Sequence, residues 1–287
     1  MLEIFQYWQV NLVLAILFMV IFNQSYRLIA KKSEDTASML IVVFSVVSAV
    51  FVLLIPFFKM KLPMDWTIYA WLVLAILFYT VNDRFKAVGF KHLDVSEVSV
   101  LTQLSKVFLM LYGVFIFKEY VSLENAIGAI LIILGGIIIT FKKGVFVFNK
   151  YVVLLIVAAL AMATALSIDV AISKHFNLAL YLLVTFALPA VIVFVVERKD
   201  IHNLKKEYNL NKDTQKHYFI TGISFAFAIL FYLMALRQGQ VSVVAPLSSV
   251  VVALNVLVGY LFLKEKNDPI KRSIAAILVI IGVFLLV

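Results

Sequence analysis

The sequence predicts an all-α integral membrane protein whose ten transmembrane helices form two inverted five-helix repeats. Composition is the first reason. The 287 residues are 64% hydrophobic and 14% charged, with a mean hydropathy of +1.07. A soluble domain is nearer half apolar and about a quarter charged, and a globule of this size could not hide the surplus. The second reason is pattern. Continuous apolar runs of about 20 residues recur, the length that crosses a ~30 Å hydrocarbon core, without the ~10-residue alternation of a barrel. The third is an echo of the first half in the second. With 0 Cys there is no disulfide framework or thiolate chemistry. The net charge of +9 reads as loops facing anionic lipid, not as a nucleic-acid surface.

The spans are placed at 10–30, 37–58, 66–88, 95–117, 122–141, 151–173, 178–196, 217–237, 241–263 and 269–287. The opening MLEIFQYWQVN lacks Lys and Arg and is read as the approach to span 1, not a signal peptide. Connections are short except Glu197–Lys216, a polar stretch expected as an amphipathic helix at the interface. Odd-numbered loops with their adjoining helix ends hold 19 of the 25 Lys and Arg, and even-numbered loops hold 5. Lys106, inside span 4, completes the set. The positive-inside rule then puts the odd loops in the cytoplasm and both termini outside, in the cell (inner) membrane.

Residues 95–119 and 241–265, offset by 146, share eight of 25 positions, including Val-Ser, Gly and the closing Lys-Glu. At an offset of 147, IGAILIILG (127–135) and IAAILVIIG (274–282) agree at six of nine. Five spans per half is an odd number, so two units, 1–145 and 146–287, must insert with opposite orientation. Inverted repeats of this kind imply a transporter with its site near the midplane between the halves, worked by alternating access.

The 5+5 arrangement, the helix-ending FKE at 117–119 and LKE at 263–265, the run VAPLSS at 244–249 and the glycines of spans 5 and 10 resemble the drug/metabolite transporter superfamily, EamA-type, over nearly the whole chain. The resemblance implies a carrier of small solutes. Members export amino acids, drugs or sugars, or exchange phosphorylated metabolites. The family often has an acid and a Pro in mid-span 4 and 9, where this chain has Ser105-Lys106 and Val251-Val252, so no cargo carries over.

Charges within spans mark the candidate site, because an ionisable group at the bilayer centre costs at least ~2.5 kcal/mol and usually faces a cavity or a partner. Lys106 is the deepest. Ser99, Thr102, Gln103 and Gly113 share its helical face, a candidate cavity wall where Lys106 meets an anionic group on the solute. In span 9, Ser242, Ala245 and Ser249 form the counterpart face, with Ser248 and Asn255 beside it and Pro246 expected to kink the helix. The competing reading of these hydroxyls is helix–helix glue. Tyr79, Asn82, Asp83 and Lys86 share a face of span 3, with Arg84 off it. Arg27, Asp83, Arg84, Lys86 and Glu97 fall towards one end as a candidate ion-pair gate, or as snorkelling side chains. The repeat sets Asp169 opposite Arg27 and makes Asp169–Arg237 the candidate outer gate, with proton loading of Asp169 as an alternative. Tyr79, Phe225, Phe231 and Tyr232 are candidate aromatic lining.

An enzyme is not indicated. His92, His175, His202 and His217 are scattered and form no HExxH, and neither a GxSxG elbow nor a Gly-rich phosphate loop occurs. No metal, cofactor or nucleic acid is called for. The expected partners are the bilayer, a small-molecule substrate and a proton. The reading is a secondary transporter, in the export direction, for a small polar metabolite such as an amino acid. An exchanger or flippase for phosphorylated metabolites or lipid carriers is the alternative, and a non-transporting membrane scaffold is the rival from another class.

Overall fold

The computed structural model describes residues 7–115, 122–142, 145–146, 149–209, 212–239, 244, 247–262 and 268–285. Among the described residues these helices follow in order: α1 Trp8–Lys32, α2 Thr36–Leu54, α3 Trp66–His92, α4 Val95–Leu101, α5 Leu104–Phe115, α6 Leu123–Thr140, α7 Lys150–Ile172, α8 Leu178–Val196, α9 Ile201–Tyr208, α10 Lys212–Gln238, α11 Val250–Phe262 and α12 Pro269–Leu285. A 3₁₀ turn, Ile55–Phe57, prolongs α2. Two-residue strands β1 (Phe141–Lys142) and β2 (Val145–Phe146) pair antiparallel after α6.

Short polar residues start several helices by accepting from otherwise unpaired backbone N–H groups. Asp35 caps α2 at Ala37, Asp65 caps α3 at Thr67, Asn149 caps α7 at Tyr151 and Val152, and Asn177 caps α8 at Leu180. Among the described residues six helices are long and apolar enough to cross a membrane: Trp8–Lys32, Thr36–Phe57, Trp66–His92, Lys150–Asp169, Leu178–Val196 and Thr214–Gln238. Leu17, Leu53, Val73, Leu77, Ile130 and Val191 lie exposed on them and on α6, as a lipid-facing surface requires. The chain is a multi-pass, helical membrane protein.

Span 4 departs from expectation. It is two helices, α4 and α5, separated by a turn at Thr102–Gln103. Across the turn Gln103 N donates to Val100 O, Ser105 N to Thr102 O and Lys106 N to Gln103 O, all from i to i−3. This is the tighter 3₁₀ winding. In span 9, Ser249 is likewise in a turn just before α11. Ser242, Ala245, Pro246 and the FKE and LKE motifs lie outside the described residues.

The most extensive helix contacts pair α1 with α10, α3 with α7, α6 with α12, and α2 with α8. Small residues set the α6–α12 approach. A Cβ on Gly135 would lie 2.6 Å from Val279 Cγ2 and 3.0 Å from Ala275 O, and one on Gly282 would lie 2.6 Å from Gly128 O and 2.9 Å from Ile132 Cγ1. An aromatic core of Phe22, Phe44, Phe186 and Phe225 joins α1, α2, α8 and α10, with Phe22 stacked on Phe225 at 4.0 Å.

The connections sort by end. At one end the segment after α8 folds onto the α1–α2 loop. Lys199 Nζ lies 2.7 Å from Asp35 and Lys206 Nζ 2.8 Å from Glu34, while Arg84 pairs with Glu197. The amphipathic helix expected in Glu197–Lys216 is α9, and its buried Glu207 accepts from Tyr218 Oη at 2.8 Å and from Asp35 N at 3.3 Å. At the opposite end, Asn177 N donates to Lys61 O and Lys61 Nζ to Lys174 O.

Candidate functional site

A cavity of about 240 Å³ lies between the helices, lined from α1, α3, α4, α5, α7, α8, α10 and α11. From α3, the face read in the sequence enters it complete: Tyr79, Asn82, Asp83 and Lys86 all line it. From α4, the turn and α5 come Ser99, Thr102, Gln103, Ser105 and Lys106, and from the span 9 segment Ser248 and Asn255. Tyr232 and Phe225 of α10 line it as well. Phe231 does not, and stacks on Phe18 and Phe227 instead.

Hydrogen bonds fix part of this wall. Asn255, fully buried, donates from Nδ2 to Ser99 Oγ at 2.8 Å and receives Gln24 Nε2 at 3.4 Å on Oδ1 and on its backbone oxygen. Ser249 Oγ reaches Gln103 Oε1 at 3.4 Å, so Ser249 braces the wall without lining the cavity. Thr102 Oγ1 and Ser105 Oγ donate to the carbonyls of Ser99 and Thr102. These bonds hold the 3₁₀ turn from both sides.

The charges fall into three groups, not two gates. Four line the cavity: Lys106, Lys86, Asp83 and Asp169. Lys106 therefore shares the cavity with three other charged groups, since an α-helix places Asp83 and Lys86 on the same inward stripe as Tyr79. Among the described residues the Lys106 ammonium makes no hydrogen bond or ion pair. Lys86 Nζ sits 5.6 Å from the Phe22 ring centroid and 5.8 Å from that of Phe90, within cation–π range. Asp83 Oδ1 accepts from Asn82 Nδ2 at 2.8 Å.

The second group gathers at the α3–α4 junction. Asp94, between α3 and α4, bridges Arg27 of α1 at 3.3 Å and Arg272 of α12, one through each carboxylate oxygen. Arg272 also donates to Ser96 Oγ at 2.7 Å, and Arg27 to Phe90 O. Glu97, expected in a gate with Arg27, instead accepts from Asp94 N at 3.0 Å and completes a capping box that starts α4. Its place three residues after Asp94 carried that signal. Arg84 belongs to the third group, with Glu197 and Thr36.

The expected Asp169–Arg237 pair is not formed. Arg237 donates to Ser173 O at 2.8 Å. Asp169 accepts from Tyr79 Oη on Oδ2 and from Tyr181 Oη on Oδ1. Tyr181 was not singled out in the sequence, and 12 residues of chain and a turn separate it from Asp169. Asn23 and Thr185 also line the cavity unannounced. Asn23 stands 146 residues before Asp169, the offset of the repeat, which could have flagged it.

Comparison with known proteins sharpens the picture. A Lactobacillus johnsonii protein named "Putative sugar uptake protein" is 25% identical over 233 residues, covering 76% of this chain and 79% of its own. A solved crystal structure matches the fold with a TM-score of 0.59 at 18% identity, over 96% of this chain and 94% of that one. The model of the EamA-like transporter family matches residues 10–141 and 149–287. With that match running over nearly the full length, the chain belongs to the EamA-like transporter family.

Proposed function

We propose that the chain is a secondary transporter of a small polar metabolite bearing an anionic group, working by alternating access between two inverted units, 1–145 and 146–287, over ten spans. The family model's separate matches to 10–141 and 149–287 support the two units. So does the packing. Exchanging the halves turns the pair α1–α10 into α7–α3 and leaves α6–α12 and α2–α8 as they are. The odd-numbered loops, rich in Lys and Arg, are proposed to face the cytoplasm with both termini outside.

One observation carries the cargo reading. Lys106 faces the cavity without a counter-ion among the described residues, beside a hydrogen-bonding wall of Ser99, Thr102, Gln103 and Asn255. An ammonium on a membrane helix is costly unless something completes it, and a carboxylate or phosphate on the solute would. The direction of net flux follows the gradients applied, since a site between two rocking halves works either way. Export was the sequence expectation, and the name of the Lactobacillus johnsonii relative favours uptake.

A second reading, a sugar, is favoured by that name and by the cavity's amides, hydroxyls and the rings of Tyr79 and Tyr232. Thermal shift of the purified protein against amino acids, organic phosphates and sugars separates the two, because a specific ligand raises apparent stability by mass action. Shifts confined to anionic solutes support the first reading, and shifts confined to sugars the second. No shift with any class would leave the scaffold as the better account.

A further inference from the structure

We propose that Asp169 is the binding site of a coupling proton, and that Tyr79 passes its protonation state to the solute. The inference rests on the transporter reading and adds its energy source. Asp169 is 7% exposed and lines the cavity. Both its oxygens accept from phenols, Tyr79 of α3 and Tyr181 of α8. The two phenols hold the acceptor-only, ionised form of the carboxyl. No Lys or Arg among the described residues forms an ion pair with it. Among the described residues, charged and titratable groups reach the same space from several helices. From α3, Asp83 and Lys86 lie one and two turns beyond Tyr79 and line the cavity with it. Lys106 of α5 opens on the same cavity, and Tyr112 of α5 is bonded to Thr164 at 2.7 Å. Arg237 of α10 is held on Ser173 O.

A proton arriving from the cavity adds to Oδ2, and the negative charge disappears. The new O–H then points at Tyr79 Oη, which had been donating to the same oxygen. Two hydrogens cannot share that line, so Tyr79 stays bonded only by becoming the acceptor, and its own hydrogen turns into the cavity. There it is a donor for an acceptor on the solute. Proton and solute therefore help each other to bind, and linkage makes the effect reciprocal. One neutral hydrogen bond corresponds to about fivefold in affinity. Tyr79 sits in the first half and Asp169 in the second, so the same event alters a contact between α3 and α7.

The test titrates the reconstituted protein in lipid vesicles across neutral pH by infrared difference spectroscopy, with the proton itself as the probe. In the natural protein a protonated-carboxyl band should appear on acidification together with a change in the tyrosine ring signal. Asp169→Asn should lose the tyrosine change together with its own share of the carboxyl band, whereas Asp83→Asn should keep the tyrosine change. Tyr79→Phe, which retains the acid, should keep the carboxyl band and lose part of the tyrosine change, guarding against a misfolded Asp169→Asn. Identical carboxyl spectra for the natural protein and Asp169→Asn would overturn the proposal, as would a titration without any tyrosine response. The readout needs no cargo. A protein that shows ligand shifts but no Asp169 band refutes the proton site alone, and one that shows the band but no ligand shifts refutes the transporter reading.

Discussion

Gly135 of α6 and Gly282 of α12 occupy reciprocal places. Gly135 meets Val279 and Ala275 O, and Gly282 meets Ile132 and Gly128 O, each 147 positions from its counterpart. The contact of one helix with the other is thus made twice, once in each direction. At Gly282 a Cβ would press on backbone oxygen, which cannot yield, whereas at Gly135 the nearest atom is the end of a Val side chain. Gly282→Ala should destabilise by about 1–3 kcal/mol and Gly135→Ala by less. Melting temperatures of the two variants in the same detergent check the order.

Asp94 predicts the acid limit. Burial alone would push its carboxyl up, but the hydrogen bond and charge of Arg272, with Arg27 and Lys31, outweigh it and hold the group below the usual carboxylate range. An unfolded Asp titrates near 3.9. With the folded value depressed, the pair contributes its stability above about pH 4 and loses it as pH falls through the lower native value. Thermal melts from neutral to acid pH should show this decline, and Asp94→Asn should flatten it. At neutral pH the Asn variant leaves Arg27 and Arg272, 4% and 6% exposed, without their shared anion, and it should be destabilised by up to about 3 kcal/mol. An unchanged melting temperature would remove Asp94 from this role.

Asn255 ties α11 to α4 and α1 at zero exposure. Replacing it by Ala strands Ser99 Oγ and removes one of the two acceptors of Gln24, leaving the backbone oxygen, at a cost of about 1–3 kcal/mol. Ser99→Ala disrupts the same bond from the other side. The double variant should therefore cost less than the two singles added together, by at least about 0.5 kcal/mol. Strict additivity would mean that the bond contributes nothing.

Lys106→Ala removes a side chain that makes no bond to the described protein, so its melting temperature should stay within the equivalent of about 0.5 kcal/mol of the natural protein. Transport of an anionic solute, and the thermal shift it causes, should be abolished. Transport that survives unchanged would exclude Lys106 from the site.

Much of the candidate site was readable in the sequence because helical spacing is reliable along one long span. Tyr79, Asn82, Asp83 and Lys86 needed only the 3.6-residue period to be grouped, and all four reach the cavity. Lys106 and its neighbours at i−3, i−4 and i−7 were found the same way. Pairings between helices were not readable. That Asp169 bonds to Tyr79 and Tyr181 and not Arg237, and that Asp94 gathers Arg27 and Arg272, depends on how helices pack, which no single-helix pattern encodes. The division of span 4 was hidden as well, since Thr-Gln is no helix breaker and tertiary contacts override a weak local preference.

The turn at Thr102–Gln103 also sets an angle. Each 3₁₀ residue advances the chain by about 120° around the axis where an α residue advances it by about 100°, so three residues leave α5 some 60° over-rotated relative to α4. Relaxing those few bonds into ordinary α winding would unscrew the helix beyond them, and Lys106, only three residues downstream, would swing around the axis and draw back along it by about 1.5 Å. A lever of this kind could present the ammonium to the solute and then withdraw it behind its own helix, at the cost of one bent turn.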